Sequence, residues 1–542
     1  MKQLARITGL AAVAALFLVG CGDEGTSAAS NSSAYDDIPV VAVKNKTITG
    51  SAQKGPFVNG ASVTVQELDG ETLAQTGKSF KGKITGDKGE FSVSSVTLVS
   101  QYALLEATGY YMNENTGAKS NGTITLNALV DLSKRETVNI NLLTHLEYER
   151  ALYLTTTGMN VPAAKKQAEK EIFEAFGITG DFANSEELNI LSTSDGDAAL
   201  MAISVLMQAN LTEAELSERL ANFASDIEKD GKWDDEATKT QMADWASVSS
   251  LSNIADNVKK WNADGKAPDF EPIVKNSWWN NYGLGTCSVS NPGEVRQDTN
   301  LLSVNHDVRY VCDTSIANWR EETFWDVPKE MRLNPNIPYG TMTDDRDDQT
   351  YKTVVIGSQT WMAENLNFDY KVAGASYGNY CYNDSARYCS VTGRLYTWGA
   401  AMDSAATGCG YGKQCDADTG RVKGVCPNGW HLPSKAEWDI LFPAVGGQST
   451  VGMELKATSG WADNRNGTDA VGFSALPSGY MFSDGSFVEA GYIACFWSSS
   501  EDTAGLEVTG SAYYRWLRDG YTDAYLGRGE KGGGLAVRCL KD

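Results

Sequence analysis

Cysteines are the residues of this 542-residue chain whose spacing bears most directly on chemistry, and all ten except Cys21 lie beyond residue 286. There is no Cys-x-x-Cys and no His at ligand spacing from a cysteine pair, so the pattern does not predict zinc. The pattern favours disulfides, which need an oxidising compartment. The predicted disulfide cysteines are Cys287 with Cys312, Cys381 with Cys389, Cys409 with Cys415, and Cys426 with Cys539. Their connectivity stays open, and we expect Cys495, within an apolar run, to be a buried free thiol.

Other reactive side chains give little support for catalysis. Gly-Ala-Ser-Tyr-Gly at residues 374–378 fits a nucleophile elbow, but Lys371 precedes it and Asn379 follows, where the elbow needs an apolar strand and a helix. Residues 226–237 match five positions of a calcium-binding loop, yet Ala237 stands where its bidentate Glu belongs. The chain has three His, no Walker loop and no dinucleotide fingerprint. We therefore predict no catalytic residue, no metal and no cofactor.

Composition narrows the classes of partner. Acidic residues exceed basic ones by 69 − 46 = 23. Such a charge repels phosphate backbones and anionic lipid headgroups, so the chain is not predicted to bind nucleic acid or to dock on membranes through basic residues. Its length predicts about three or four domains. The 14 Trp, 23 Tyr and 53 Gly favour turn-rich, mostly β structure.

The first residues predict export. Lys2 and Arg6 precede an apolar run over 7–20, which is too short to span a bilayer of about 30 Å. The run ends in Leu-Val-Gly-Cys, which resembles the lipobox of bacterial lipoproteins. The resemblance implies a signal peptide over 1–20 and lipid on Cys21, so the chain would meet the membrane only through this anchor. Gly22, rather than Asp, follows Cys21, which favours the outer membrane or cell surface; an ordinary secreted protein is the alternative.

Periodicity divides the middle of the chain. Residues 21–45 lack apolar periodicity and predict a flexible tether. Residues 46–140 alternate with period two, as in Ser-Val-Thr-Val at 62–65, and resemble the β-sandwiches related to carboxypeptidase regulatory domains. Residues 141–265 change to helical period, with Thr212 and Glu215 forming a capping-box pattern, and predict a helical bundle. Residues 266–342 predict a linker that carries a small disulfide-stapled β module.

Ordered motifs occupy the predicted C-terminal domain, residues 343–542. They include Thr-Trp-Met-Ala-Glu-Asn-Leu at 360–366, Cys-Pro-Asn-Gly-Trp-His-Leu-Pro-Ser at 426–434 and Val-Arg-Cys at 537–539. This order resembles the FISUMP family, the "major paralogous domain" of fibre-degrading bacteria. The resemblance implies an α+β fold similar to C-type-lectin-like and formylglycine-generating-enzyme-like domains. Such domains close near their two ends, which a Cys426–Cys539 bridge would fit.

Two features that lectins and oxidases with similar folds use for function are missing from this domain. The calcium-binding Glu-Pro-Asn and Gln-Pro-Asp tripeptides of lectins are absent from 343–542, and Cys495 has no evident partner for oxidase chemistry. We predict a non-enzymatic, surface-anchored binding protein that adheres to plant-wall polysaccharide. The predicted ligand contacts are aromatic residues beside Gly, Asp and Asn: Trp461, Tyr480, Tyr513, Tyr514, Trp516 and Tyr521. The alternatives are an envelope lipoprotein with a protein-binding or structural role, whose partner is a surface protein, and a fibre-acting enzyme.

Overall fold

The computed structural model describes residues 38–373, 377–415, 421–502 and 510–542. The predicted signal peptide, Cys21, most of the tether and the serine of the 374–378 motif lie outside these residues. The chain divides into two compact units, one of residues 1–281 with 302–304, the other of residues 282–301 with 305–542. Across the described ranges, no helix combines the length and apolar character that crossing a bilayer requires.

Strands open the described part of the first unit. They are β1 (Val43–Gln53), β2 (Ser62–Leu68), β3 (Gln75–Lys83), β4 (Glu90–Leu98), β5 (Tyr102–Gly109), β6 (Ile124–Asp131) and β7 (Ile140–Asn141). Alternate residues of β4, such as Phe91 and Val93, are buried because successive side chains of a strand point to opposite faces. The strands form two sheets, with orders β4-β1-β7 and β3-β2-β5-β6.

Helices follow these sheets in the same unit. They are α1 (Leu142–Thr156), α2 (Val161–Ala175), α3 (Asp195–Gln208), α4 (Glu213–Ile227), α5 (Glu236–Val248), α6 (Leu251–Trp261) and α7 (Glu271–Asn281). The predicted capping box begins α4, where the Thr212 backbone N–H donates to Glu215 Oε2 over 2.8 Å and the Thr212 hydroxyl accepts from the Glu215 N–H.

The helical region extends past its predicted end at residue 265. Helix α7 lies inside the predicted linker, and its Trp278 and Trp279 are buried. Prolines made this segment resemble a linker, but Pro272 stands in the first turn of α7, where its missing N–H costs no intrahelical hydrogen bond. The two Trp side chains supply the buried apolar surface that fixes the helix.

A small sheet begins the second unit. It contains β8 (Val295–Gln297), β9 (Arg309–Asp313) and β10 (Asn318–Glu321), in the order β10-β9-β8. The Cys287–Cys312 disulfide ties β9 to the preceding loop. Trp319 of β10 is buried, and its indole N–H donates to the Gly285 carbonyl over 2.7 Å. One crosslink and one hydrogen-bonded Trp therefore stabilise a module too small to bury much else.

The rest of the second unit mixes strands with short helices. Its strands are β11 (Gly340–Thr343), β12 (Thr350–Ile356), β13 (Gln359–Met362), β14 (Asn379–Tyr380), β15 (Leu395–Thr397), β16 (Trp430–His431), β17 (Tyr480–Met481), β18 (Phe487–Val488), β19 (Ile493–Glu501), β20 (Ser511–Arg518), β21 (Tyr525–Glu530), β22 (Gly534–Ala536) and β23 (Leu540–Lys541). Its helices are α8 (Ala386–Thr392), α9 (Trp398–Ala401), α10 (Ser404–Thr407), α11 (Lys435–Ala444) and α12 (Val451–Leu455).

Two sheets organise this region around cores on both faces of β19. One sheet has the order β11-β12-β13-β23-β16, and the larger runs β14-β15-β22-β19-β20-β21. Phe496 packs with Trp438 and Phe473 in one core, whereas the next residue, Trp497, packs with Trp398 in the other. The prediction of a multidomain chain with β-sheet regions and a helical region is thus confirmed.

Disulfides tie the unit together. The structure forms Cys287–Cys312, Cys381–Cys389, Cys409–Cys415 and Cys426–Cys539, as the spacing predicts. Among the described cysteines, Cys495 is a buried free thiol. Leu540 of β23 pairs with Trp361 of β13 and with His431 of β16, so the last strand lies between these two earlier strands.

His431 lies between two carboxylates at this closure. Its Nδ1 is 2.8 Å from Asp542 Oδ1, and its Nε2 is 3.0 Å from Glu437 Oε1. Burial opposes the charged imidazolium, but the hydrogen bonds to Glu437 and Asp542 outweigh it and raise the pKa of His431. Burial likewise opposes ionisation of Glu437, yet hydrogen bonds from His431 and Ser434 lower its pKa to about 2.

We expect the His431 contacts to make stability depend on pH. Because the folded pKa of His431 is raised, its contribution is complete below the unfolded value of about 6.5 and is lost as pH rises through the folded value. The Glu437 contribution is present above its unfolded pKa of about 4.3 and fades as pH falls towards its folded value. Urea unfolding at pH 6 and pH 9 should show His431→Gln costing more at pH 6. Equal costs at both pH values would contradict this.

Candidate functional site

Alternation along β20 separates the predicted aromatic contacts. Tyr514 and Trp516 lie on the face that packs against the core of Cys495 and Trp497. Tyr513 lies on the opposite face, where its hydroxyl donates to Asp502 Oδ1 over 3.1 Å. Since neighbouring strand residues point to opposite faces, Tyr513 and Tyr514 cannot contribute to one surface.

Three rings form a cluster at the hairpin that joins β20 to β21, which we call the aromatic patch: Trp516, Tyr521 and Tyr525. Trp516 and Tyr525 are paired directly across the strands, and their rings stack with centroids 4.5 Å apart and an interplanar angle of 17°. Tyr521, in the turn, meets both rings edge-on at 6.3 Å and 5.8 Å. Tyr521 is 47% exposed, so the patch reaches solvent.

The turn that carries Tyr521 is held by a neighbouring element. The amine of Lys456, which directly follows α12, donates to the carbonyls of Arg518 and Tyr521 over 3.2 Å and 3.1 Å. Both carbonyls flank the turn, so one buried amine links two backbone acceptors at the ends of the turn. The backbone of the turn that carries Tyr521 is therefore anchored by these two hydrogen bonds.

Paired charged side chains follow Trp516 along the chain. Arg518, two positions after Trp516, pairs with Glu489 over 3.2 Å. Asp519 accepts from Arg465 over 3.0 Å. Arg518 and Glu489 are partly exposed and offer donors and acceptors near the hairpin, whereas Asp519 is buried.

Tyr514 continues the same face of β20. Its ring lies over Gly527 of β21, where an added Cβ would stand 2.3 Å from the Tyr514 Cζ. The missing side chain at Gly527 thus lets the Tyr514 ring rest flat against the strand. Burial raises the pKa of Tyr514 to about 12, so its phenol is protonated at neutral pH.

The remaining predicted contacts lie elsewhere. Trp461 lies in the core with 3% of its surface exposed, and its indole N–H donates to the Ala475 carbonyl over 3.1 Å. Trp461 therefore cannot contact a ligand at the surface. Tyr480 packs against the same core as Tyr514 and meets Phe482 edge-on at 5.0 Å. Tyr480 therefore shares a core with Tyr514, whereas Trp461 stabilises the domain interior.

The second unit also contains a cleft of about 730 Å³ that the sequence patterns did not predict. Residues from separate segments line it, among them Tyr380, Tyr411, Asp484, Phe487 and Lys531. The Lys531 ammonium is buried against Glu501 and donates to the Lys413 carbonyl over 2.8 Å, so this charge is used internally. Only the tertiary fold brings these segments together, and no local pattern predicts the cleft.

Comparison with known proteins gives a match for the region that contains the aromatic patch and the cleft. No curated protein and no solved structure matches the chain. A family model described as the Fibrobacter succinogenes major domain matches residues 354–541, as the motif order predicts. The aromatic patch and the cleft therefore both lie in the region of the chain that matches the Fibrobacter succinogenes major domain.

Proposed function

We propose that this protein is an exported, lipid-anchored and non-enzymatic binding protein that adheres to plant-wall polysaccharide through the aromatic patch. The observation that carries the proposal is the Trp516–Tyr525 stack with the exposed Tyr521 beside it, all on one hairpin. Sugar rings present C–H faces that pack on aromatic rings, and Arg518, two positions after Trp516 on β20, carries the donors that we expect to hydrogen-bond sugar hydroxyls. The net charge of −23 does not oppose a neutral glycan.

We infer a lectin-like or formylglycine-generating-enzyme-like fold for 343–542, supported by the pairing of Leu540 with Trp361, which joins strands near the two ends of the domain. Lipid on Cys21 would hold the chain at the outer membrane or cell surface. The β-sheet and helical regions of residues 46–281 would then act as spacers that extend the C-terminal domain from the anchor.

Retention on insoluble cellulose, xylan and pectin tests the function. We expect the full chain to bind at least one of them and Tyr521→Ala to bind it about fivefold more weakly, since one lost stacking contact costs about 1 kcal/mol. Tyr521 is the best single change because its exposure lets it be truncated without opening a core cavity. Trp516→Ala should weaken binding further, with circular dichroism confirming that it folds.

Tyr411→Ala is the matched control, because Tyr411 is 68% exposed and lines the cleft instead of the patch. Equal losses in the Tyr411 and Tyr521 variants would contradict binding at the patch. Failure of the unaltered chain to bind any of the three glycans would contradict the proposed function. A protein partner retained in the presence of competing glycan would favour the protein-binding alternative, and release of soluble sugars would favour the enzyme.

A further inference from the structure

Three polar side chains meet inside the first unit. Lys54 directly follows β1, Glu114 lies in the turn between β5 and β6, and Ser204 lies in the middle of α3. All three residues are 0% exposed. A Lys and a Glu are almost never fully buried unless they pair, so this cluster requires an explanation.

The contacts within the cluster are close. The Lys54 Nζ contacts Glu114 Oε1 directly and lies 3.0 Å from both the carbonyl oxygen and the hydroxyl of Ser204. The Ser204 Oγ is also 2.6 Å from Glu114 Oε1. The other carboxyl oxygen, Glu114 Oε2, is buried without a hydrogen-bond partner among the described residues. The carboxylate is therefore satisfied on one side only.

A half-satisfied buried ion pair is costly, because desolvation of both charges exceeds what one contact returns. The second buried Lys–Glu pair provides a comparison. There Lys531 contacts Glu501, and the other Glu501 oxygen accepts from the Cys415 N–H over 3.0 Å. Burial also lowers the pKa of Lys54, which favours the neutral and nucleophilic amine.

We propose that Lys54 and Glu114 condense into an amide, an intramolecular isopeptide crosslink between the two side chains. One proton passes from the Lys54 ammonium to the Glu114 carboxylate, and the neutral Nζ attacks the carboxyl carbon Cδ. The Nζ–Cδ bond forms, the Cδ–Oε1 bond breaks, and Oε1 leaves as water. Ser204 Oγ, which lies within hydrogen-bond distance of both atoms, relays the second amine proton to the leaving hydroxyl. No oxidant, reductant or other co-reactant is needed.

The amide fits the buried surroundings of Lys54 and Glu114 better than the ion pair does. Both buried charges disappear, and the remaining amide N–H can donate to the Ser204 carbonyl that now accepts from Lys54. The crosslink joins residues 60 positions apart and covalently fixes the end of β1 to the turn between β5 and β6. The first unit would thereby acquire a covalent tie, although every predicted disulfide lies in the second unit.

Peptide mapping of the full chain by tandem mass spectrometry tests the proposal. After trypsin, we expect a branched peptide joining residues 47–78 to residues 89–119, uncleaved after Lys54 and lighter than the two separate peptides by one water. Lys54→Arg keeps a positive charge but should abolish the branched peptide. Ser204→Ala should reduce its yield in freshly expressed protein, and the peptides of the comparison pair, Lys531 and Glu501, should be recovered separately.

Recovery of the two segments as separate linear peptides, with complete cleavage after Lys54, would overturn the proposal. That result would identify the cluster as an ordinary buried ion pair. Because the peptide map of the unaltered chain decides the question alone, the test stands even if Lys54→Arg does not fold.

Discussion

Replacing Cys426 and Cys539 together with Ser should lower the free energy of unfolding of the C-terminal region by about 5 kcal/mol. The bridge joins residues 113 positions apart, and cross-linking so long a loop removes much of the conformational entropy of the unfolded chain. Both cysteines are buried beside β23, so the bridge also holds the last strand against β13 and β16. Urea unfolding followed by Trp fluorescence measures the change.

The Cys381–Cys389 bridge is the matched control, since its cysteines are only eight positions apart. The same loop-entropy relation predicts a loss of about 2.5 kcal/mol for the double Ser variant of this pair. The two double variants should therefore differ by a factor of about two in destabilisation. Equal losses would show that loop length does not govern the effect.

Arg538→Met should destabilise the same region by about 4 kcal/mol, because it removes a buried cation that several partners share. The guanidinium donates twice to Asn365 Oδ1, over 3.0 Å and 2.7 Å, and also to the Phe473 carbonyl. It lies 4.4 Å from the Phe473 ring centroid and 5.3 Å from that of Phe496. Met keeps much of the side-chain volume but leaves these acceptors unpaired in the core.

Arg421→Met provides the control, because Arg421 is exposed and its loss should change stability by less than about 0.5 kcal/mol. The midpoint of urea unfolding should shift strongly for Arg538→Met alone, with little change in the slope. A shift as small as that of the control would mean that the buried guanidinium contributes no net stability.

Local patterns allowed much of the architecture to be predicted. The cysteine spacing indicated which cysteines could pair, most directly for the two bridges that close only eight and six positions, but it left the connectivity open. The Thr212 and Glu215 pattern predicted the start of α4 because a capping box involves only four consecutive residues. The ordered motifs from 360 to 539 predicted the family that the comparison identifies.

The patch itself was only partly predictable. Period two alone would have placed Tyr513 and Tyr514 on opposite faces once β20 was recognised as a strand. Tyr525 escaped prediction because its role depends on its register with Trp516, which only the paired strands reveal. Trp461 looked exposed beside Gly460, but a loop can be buried when the fold supplies hydrogen-bond partners, as Ala475 does here. Long-range contacts decided each of these outcomes.

Hydroxyl-radical footprinting with and without the retained polysaccharide tests most directly whether the aromatic patch is the binding surface. The proposal predicts that bound glycan slows oxidation of Tyr521 and Trp516, while the exposed Tyr411 in the cleft is oxidised at an unchanged rate. Oxidation of Tyr521 at the same rate in both conditions, with the chain demonstrably bound, would contradict it.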